Sequence, residues 1–417
     1  MYKLKNTIRD YAWGSTTLIS DYLGTDPSGA PEAEMWLGAH AGSPSSALRE
    51  HGAIPLDRLI SADPDRLLGT RCREAFGDRL PFLMKLLAAG SPLSLQVHPS
   101  NEQAAAGFVA EEAAGVPLEA AHRNYKDAHH KPEMILALTP IEALCGFRPA
   151  AEAASIFGHL AGAFREVGTE VPPVLEQVRD MLDGGGEPAA VGAAFALLIR
   201  GGISVVDAVE SVAGILRLGI PVGPFAKELA TALELSEAYP GDPGVLISLM
   251  LNRVSLTPGQ AVFLPSGNIH AYLSGLGIEV MASSDNVLRG GLTAKHIDTD
   301  ELLNTVDFSP LPVPLLEAFS PTAGVHLWQP PFDEFVLQRM EVVAGDDGLP
   351  LTGGTPSILL VVSGSGRLSS TGQSLSLNRG DSVFVSANED LPTLHGIGSE
   401  PLVAFAATVP LHVTAAR

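Results

Sequence analysis

The 417-residue sequence has two cysteines, Cys72 and Cys145, too few for a disulfide framework or a thiolate zinc site. Basic residues are scarce too. Against 47 aspartates and glutamates stand 26 lysines and arginines, a formal net charge of −21. So acidic a chain lacks the cationic footprint that nucleic acid or an anionic membrane surface requires. An anionic ligand would have to be met locally, by a few cations or a metal. Long apolar runs are also missing: the most apolar window, 189–206, is interrupted by Arg200 and the two glycines that follow it, Gly201 and Gly202, which argues against a membrane span. Met1 to Asn6 lead straight into polar sequence without an apolar signal core, so a cytoplasmic protein is expected. What is present is a packable composition, 46% hydrophobic and 18% charged, long enough for two or three domains.

Hydrophobic period divides the chain. Up to about Pro149 it reads as short strands between turns. Phe82–Leu87 and Leu93–His98 are two such runs, separated by Gly90-Ser91-Pro92. The second alternates, with Ser94, Gln96 and His98 on one face and Leu93, Leu95 and Val97 on the other. From 150 to 251 the spacing becomes helical, as at Ile156, Leu160, Phe164 and Val167 or Val205, Val209, Val212 and Leu216. This reads as a helical insert without evident chemistry. Strand character returns at Val254, and the pattern from Leu256 to Leu264 is repeated by Leu377 to Val385. Such self-similarity predicts two copies of one β-module, joined by a linker marked by Pro310, Pro312, Pro314 and Pro321. The predicted fold is mainly β with a helical insert: two jelly-roll β-barrel modules plus an α-helical domain. The expected units are 1–149 with 252–320, then 150–251, then 321–417. His270 of the first copy aligns with Leu391 of the second, so the second copy is expected to carry no site.

Several polar residues interrupt the apolar strands. Gln96 and His98 lie two apart on one face, about 7 Å between Cβ atoms at two strand rises. Lys131 and Glu133 are likewise two apart, entering Ile135-Leu136-Ala137-Leu138. Either pair alone is as well explained by ordinary buried hydrogen bonds, and a lone His270 is more often structural than ligating. Together, Gln96, His98, Glu133 and His270 offer an amide oxygen, two imidazoles and a carboxylate, which suits Zn²⁺ or another divalent first-row ion. The segment from Glu279 to Lys295 adds Asp285, Arg289 before Gly290-Gly291, and Lys295 itself. It is either a solvated turn or a local clamp for an anion.

The ordered motifs resemble those of the type I phosphomannose isomerases, zinc-dependent cupin enzymes. They are Tyr11-Ala12-Trp13-Gly14-Ser15, Glu34-Met35-Trp36-Leu37-Gly38, Gln96-Val97-His98-Pro99, Asn124-Tyr125-Lys126-Asp127, His130-Lys131-Pro132-Glu133-Met134, Gly146-Phe147-Arg148-Pro149, Pro265 to Tyr272, and Gly277 to Lys295. The resemblance covers nearly the whole chain. It implies cupin-type modules and reversible conversion of mannose 6-phosphate to fructose 6-phosphate through an enediol. It further implies one Zn²⁺ per chain on Gln96, His98, Glu133 and His270, and an essential Arg289. Lys131, Glu279, Asp285 and Lys295 become active-site positions, with Trp13, Ser94, His130 and Tyr272 in the pocket. The proton-transfer base is expected to be Lys131 or Glu279, with Lys131 favoured, and His130 and Asp285 are expected to assist ring opening. One departure stands out: many relatives carry Asp-Lys after His-Pro, where this chain has Ser100-Asn101. The expected partner is a small sugar phosphate, with neither nucleic acid nor membrane, in a monomer or weak homo-oligomer. The competing expectation is a non-catalytic, sugar-phosphate-sensing cupin.

Overall fold

The computed structural model describes residues 1–219 and 223–410. Its organising element is the strand His270–Ala282, which belongs to both sheets of the first β-module. The half from His270 to Ser274 pairs with Ile141–Phe147 and, at His270, with Gln96–Val97. From Gly275 onward it pairs with Phe82–Ala89 and, from Gly277, with Glu133–Ala137. The bend falls at Gly275, whose φ of 108° disfavours a side chain and whose added Cβ would lie 2.3 Å from the Pro140 carbonyl oxygen. One bent strand therefore supplies residues to two facing sheets.

Register then decides which side chains meet. On one inner face Trp36, Lys85, Glu279 and Ile135 lie directly opposite one another across four strands. On the other, Arg289, Gln96, His270 and Cys145 form a corresponding row. Directly opposed residues share a face, with Cβ atoms about 4.5–5.5 Å apart.

The outer face of the second row is apolar. Leu95, Val97, Ile269, Ala271 and Leu273 alternate with the inward residues and join one hydrophobic core with Phe157, Leu160, Phe195, Val209 and Leu246. Those partners come from the helices of the expected insert, among them Ala150–Glu166, Glu187–Arg200, Ile203–Leu218 and Gly244–Ser248. Period two in the strands and period 3.6 in the helices thus meet at one apolar interface. No single helix among the described residues is long and apolar enough to cross a membrane.

Backbone pairing crosses the unit boundaries expected from sequence. Tyr2–Lys5 pairs with Ser382–Val385, so Tyr2–Lys5, Ser46–Arg49 and Gly52–Pro55 complete a nine-stranded sheet with C-terminal strands. The interior of the C-terminal module is aliphatic, closed by Met340, Val342, Leu359, Val361, Leu368, Val383 and Leu394. Leu391 is exposed in a turn, away from that interior.

Two local expectations are corrected. Of Leu93–His98 only Gln96–Val97 forms a ladder, because Leu93 and Leu95 send their N–H groups to the Tyr272 and Gly291 carbonyls instead. The proline-marked linker is also partly structured: Leu315–Leu316 pairs with Ala261–Leu264, and Pro321 sits in the edge strand Phe319–Thr322, where its missing N–H is tolerated.

Ser100-Asn101, the departure noted above, has a clear local role. Ser100 caps the helix Asn101–Ala113, its Oγ accepting from the Gln103 N–H at 3.2 Å while Gln103 Oε1 accepts from the Ser100 N–H at 2.9 Å. Replacing Ser100 with Ala is expected to cost about 1 kcal/mol in a urea titration of the whole protein; an unchanged midpoint would contradict the capping role.

Candidate metal centre and anion clamp

Three buried side chains converge between the facing sheets. Glu133 begins one strand, His270 begins the bent strand, and His98 follows Gln96–Val97 directly. One ligating atom from each lies within 4.8 Å of the others. His98 Nε2 is 3.3 Å from Glu133 Oε1, and His270 Nε2 is 3.4 Å from Glu133 Oε2.

Both tautomers are fixed from outside. His98 Nδ1 lies 2.7 Å from the Asn286 carbonyl oxygen and His270 Nδ1 lies 3.0 Å from that of Asn268. A carbonyl only accepts, so each Nδ1 carries the proton and each Nε2 presents a lone pair inward. Burial pushes the His98 imidazole down to about 4, against the opposing pull of Glu133 and with help from Lys131, so it is neutral at pH 7. Its Nε2 is buried without a hydrogen-bond partner. For Glu133, burial is outweighed by Lys131 and His98, which hold its carboxyl well below the ordinary range. Two imidazole nitrogens facing a carboxylate are poorly matched to one another and well matched to a small divalent cation. The donor set fits zinc, with Gln96 beside His270 in register as the fourth candidate ligand.

Next to this cluster runs a buried chain of charges. Lys131 Nζ is 2.9 Å from Glu133 Oε1. Lys85 Nζ is 2.8 Å from Glu279 and 3.4 Å from Glu34, and sits 5.3 Å from the Trp36 ring centroid. Burial alone would lower the Lys85 ammonium, but Glu279, Glu34 and Glu133 together raise it. Burial also raises the Glu279 carboxyl, opposed mainly by Lys85. The Tyr272 hydroxyl is buried without a hydrogen-bond partner and raised well above its ordinary value by burial, then by Glu279 and Glu133, so it stays protonated.

The other end is cationic. Arg289 stands opposite Gln96, and among the described residues its guanidinium has no hydrogen bond or ion pair with another side chain. Burial lowers it; burial and then the charges of Arg289 and Lys126 lower Lys295. Among the described residues none of these three cations has a carboxylate partner, which makes Arg289, Lys126 and Lys295 candidates for meeting an anion.

A family model, phosphomannose isomerase type I, catalytic domain, matches residues 1–150. Mannose-6-phosphate isomerase of Escherichia coli (strain K12) is 38% identical over 95% of this chain and 98% of its own length. The mannose-6-phosphate isomerase of Rattus norvegicus is 32% identical over 93% and 94%. The chain belongs to the type I phosphomannose isomerases. A zinc-bound mannose 6-phosphate isomerase has the same fold, with a TM-score of 0.85 at 34% identity over 98% of both chains. A mutant phosphomannose isomerase from Salmonella typhimurium gives 0.86, also at 34%, over 98% of this chain and 99% of that one.

Within this phosphomannose isomerase, His98, Glu133, His270, Gln96, Lys131, Tyr272, Glu279, Arg289 and Lys295 occupy the two facing rows or adjoin them. Ser94 is half-buried two residues before Gln96, and Trp13 stacks on Tyr11 while packing against the cluster that contains Tyr272. Asp285 lies at the rim, half exposed, its carboxylate 3.5 Å from His40 Nε2. His130 is placed apart from these two rows. It donates from Nε2 to Glu334 of the C-terminal module at 2.6 Å, lining a separate cavity of about 440 Å³ with Arg79, His129 and Phe332. It directly precedes Lys131, and consecutive residues of an extended segment point to opposite sides. Sequence reasoning missed Lys85, Glu34, His40, Lys126 and Asn286. For Lys85 a signal existed: one lysine in an otherwise apolar eight-residue strand.

Two measurements test this electrostatic account. Lys85→Met leaves buried carboxylates unpaired and is expected to destabilise the protein by about 3–5 kcal/mol, read by denaturant titration. The second concerns Glu334, whose carboxyl is held low by the His130 hydrogen bond despite burial. Its contribution is therefore present above the ordinary carboxylate range and lost as pH falls through the lowered value. Glu334→Gln should cost about 1.5–3 kcal/mol at pH 7 and progressively less in acid; a pH-independent difference would contradict the assignment.

Proposed function

We infer that this phosphomannose isomerase interconverts mannose 6-phosphate and fructose 6-phosphate through an enediol, and that it holds one Zn²⁺ on Gln96, His98, Glu133 and His270. The observation that carries this reading is the orphaned, inward Nε2 of His98 facing Glu133 and His270, with the unpaired Arg289 one strand beyond Gln96. Zinc, when bound, supplies Lewis-acid stabilisation of the negative charge that develops on the sugar's C1 and C2 oxygens.

The remaining chemistry falls to side chains. The C–H beside a carbonyl is a weak acid, so a base must reach it at hydrogen-bond distance while fixed positive charge awaits the oxyanion. Lys131 is assigned the proton transfer: in its neutral, free-amine form, Nζ takes the proton from C2, becomes the ammonium, and returns that proton to C1, beside Glu133. Glu279 is committed to Lys85 and serves to orient that ammonium within the pocket. Arg289 stabilises developing charge, and Lys126 with Lys295 receives the phosphate. The protonated Tyr272 hydroxyl is a donor for a sugar oxygen. Asp285, at the rim with His40, is placed to accept the hydroxyl proton on ring opening. Ser94 and Trp13 border the sugar. We assign the enzyme to the cytoplasm, as a monomer or weak homo-oligomer acting on small sugar phosphates.

A coupled assay tests the reading. Interconversion should fall at least about 100-fold on chelation and return with zinc. Arg289→Ala should keep its zinc and lose about 10²–10³ in kcat. Lys126→Ala should raise KM about tenfold with little change in kcat, the loss of one charge-assisted contact. A zinc-loaded protein that binds mannose 6-phosphate without converting it would instead be a sugar-phosphate sensor.

A further inference from the structure

Five of the site's groups, Lys126, Lys131, Glu133, Asp285 and Arg289, come from two stretches far apart in sequence, 126–133 and 284–289, and one fully buried side chain joins them. Asn286 is 0% exposed. Its Oδ1 accepts from the Lys126 N–H at 2.7 Å and the Asp127 N–H at 3.3 Å. Its Nδ2 donates to the carbonyls of Asp127 and His129, both at 2.8 Å. Its own carbonyl takes the Nδ1 proton of His98 at 2.7 Å, and its N–H reaches Ser284 Oγ at 3.2 Å.

The other stretch returns the grip. Asp127 Oδ2 accepts from Ser284 Oγ at 3.1 Å and from the Asp285 N–H at 2.9 Å, and Ser284 Oγ also contacts the His129 carbonyl at 3.1 Å. Lys126 lies inside this interlock, and Lys131 and Glu133 follow a few residues on. Arg289 comes three residues after Asn286, on Leu288–Arg289, paired with Gln96–Val97.

We propose that Asn286 is a positioning residue that sets the zinc affinity through His98 and, through the segment it clamps, the placement of Lys126 against the substrate phosphate. Both ends of the active site then share one mechanical anchor. The amide is required because the site demands two acceptor functions toward N–H groups and two donor functions toward carbonyls within one buried side chain. Aspartate meets only the first pair and turns a carboxylate oxygen toward two carbonyl oxygens. The proposal rests on the zinc-isomerase reading above.

The test uses full-length Asn286→Asp and, as a milder variant, Ser284→Ala, which removes the interlock's hydroxyl but keeps the amide. Zinc affinity is read by competition with a chromophoric chelator, which needs no turnover; KM and kcat for mannose 6-phosphate are read at saturating zinc. Asn286→Asp should bind zinc about 10–100-fold more weakly, the usual effect of losing a ligand's outer partner. Its KM should rise about tenfold and more than its kcat falls, and Ser284→Ala should move both in the same direction by less. If Asn286→Asp does not fold, Ser284→Ala decides alone. Zinc affinity and KM within twofold of the parent, or a lower melting temperature with both intact, would overturn the proposal. A parent protein that binds no zinc in the same competition fails the earlier reading instead.

Discussion

Two histidine rings, each pinned from behind by a backbone carbonyl, are the constraint around which the rest is arranged. With Nδ1 committed to Asn286 and Asn268, His98 and His270 must turn lone pairs toward Glu133 among buried side chains. Such buried lone pairs are costly without a cation to meet them. The neighbouring charges reflect this. Glu34, Glu133 and Glu279 face Lys85 and Lys131, so buried carboxyl groups outnumber buried amines by three to two. A divalent ion held there would add positive charge to that interior, and Arg289, Lys126 and Lys295 would extend the positive field toward a bound phosphate.

The scaffold serves this arrangement through alternation. Each inward polar residue of the His270 row is flanked by apolar residues that dock on the helices, so ligand geometry is fixed by burial of Leu95, Val97, Ile269 and Ala271. The helices thus act as a rigid backing for the metal strands. The C-terminal module, with its aliphatic interior, contributes at its border: Glu334 holds His130, one residue from Lys131. Tyr2–Lys5, meanwhile, ties the start of the chain into that module's sheet.

Much of this was legible in the sequence because its cause is local. Alternation exposed Gln96 and His98, the change of period exposed the helices, and the repeat exposed the second module. Residue types and motifs pointed to His98, Glu133 and His270, which the structure brings together. What was not legible depends on register and folding back of the chain. Lys85 meets Glu279 only because two strands 194 residues apart pair at that register. Asn286 reads as an ordinary turn residue until the 126–129 segment closes over it. The contact of His130 with Glu334 was hidden because residue type and motif say nothing about which side of an entering strand a side chain takes. The strand switch at Gly275 was equally hidden, since positive φ is a property of the fold and not of the letter.

The central claim is that a single cation is held by nitrogen and oxygen donors from these facing rows. X-ray absorption at the zinc edge of the full-length protein tests it most directly. The account predicts one zinc per chain, a first shell of nitrogen and oxygen at about 2.0–2.2 Å, and the outer-shell scattering of two imidazoles. A sulfur shell near 2.3 Å, which Cys145 opposite His270 could supply, or a shell without imidazole scattering, would contradict it.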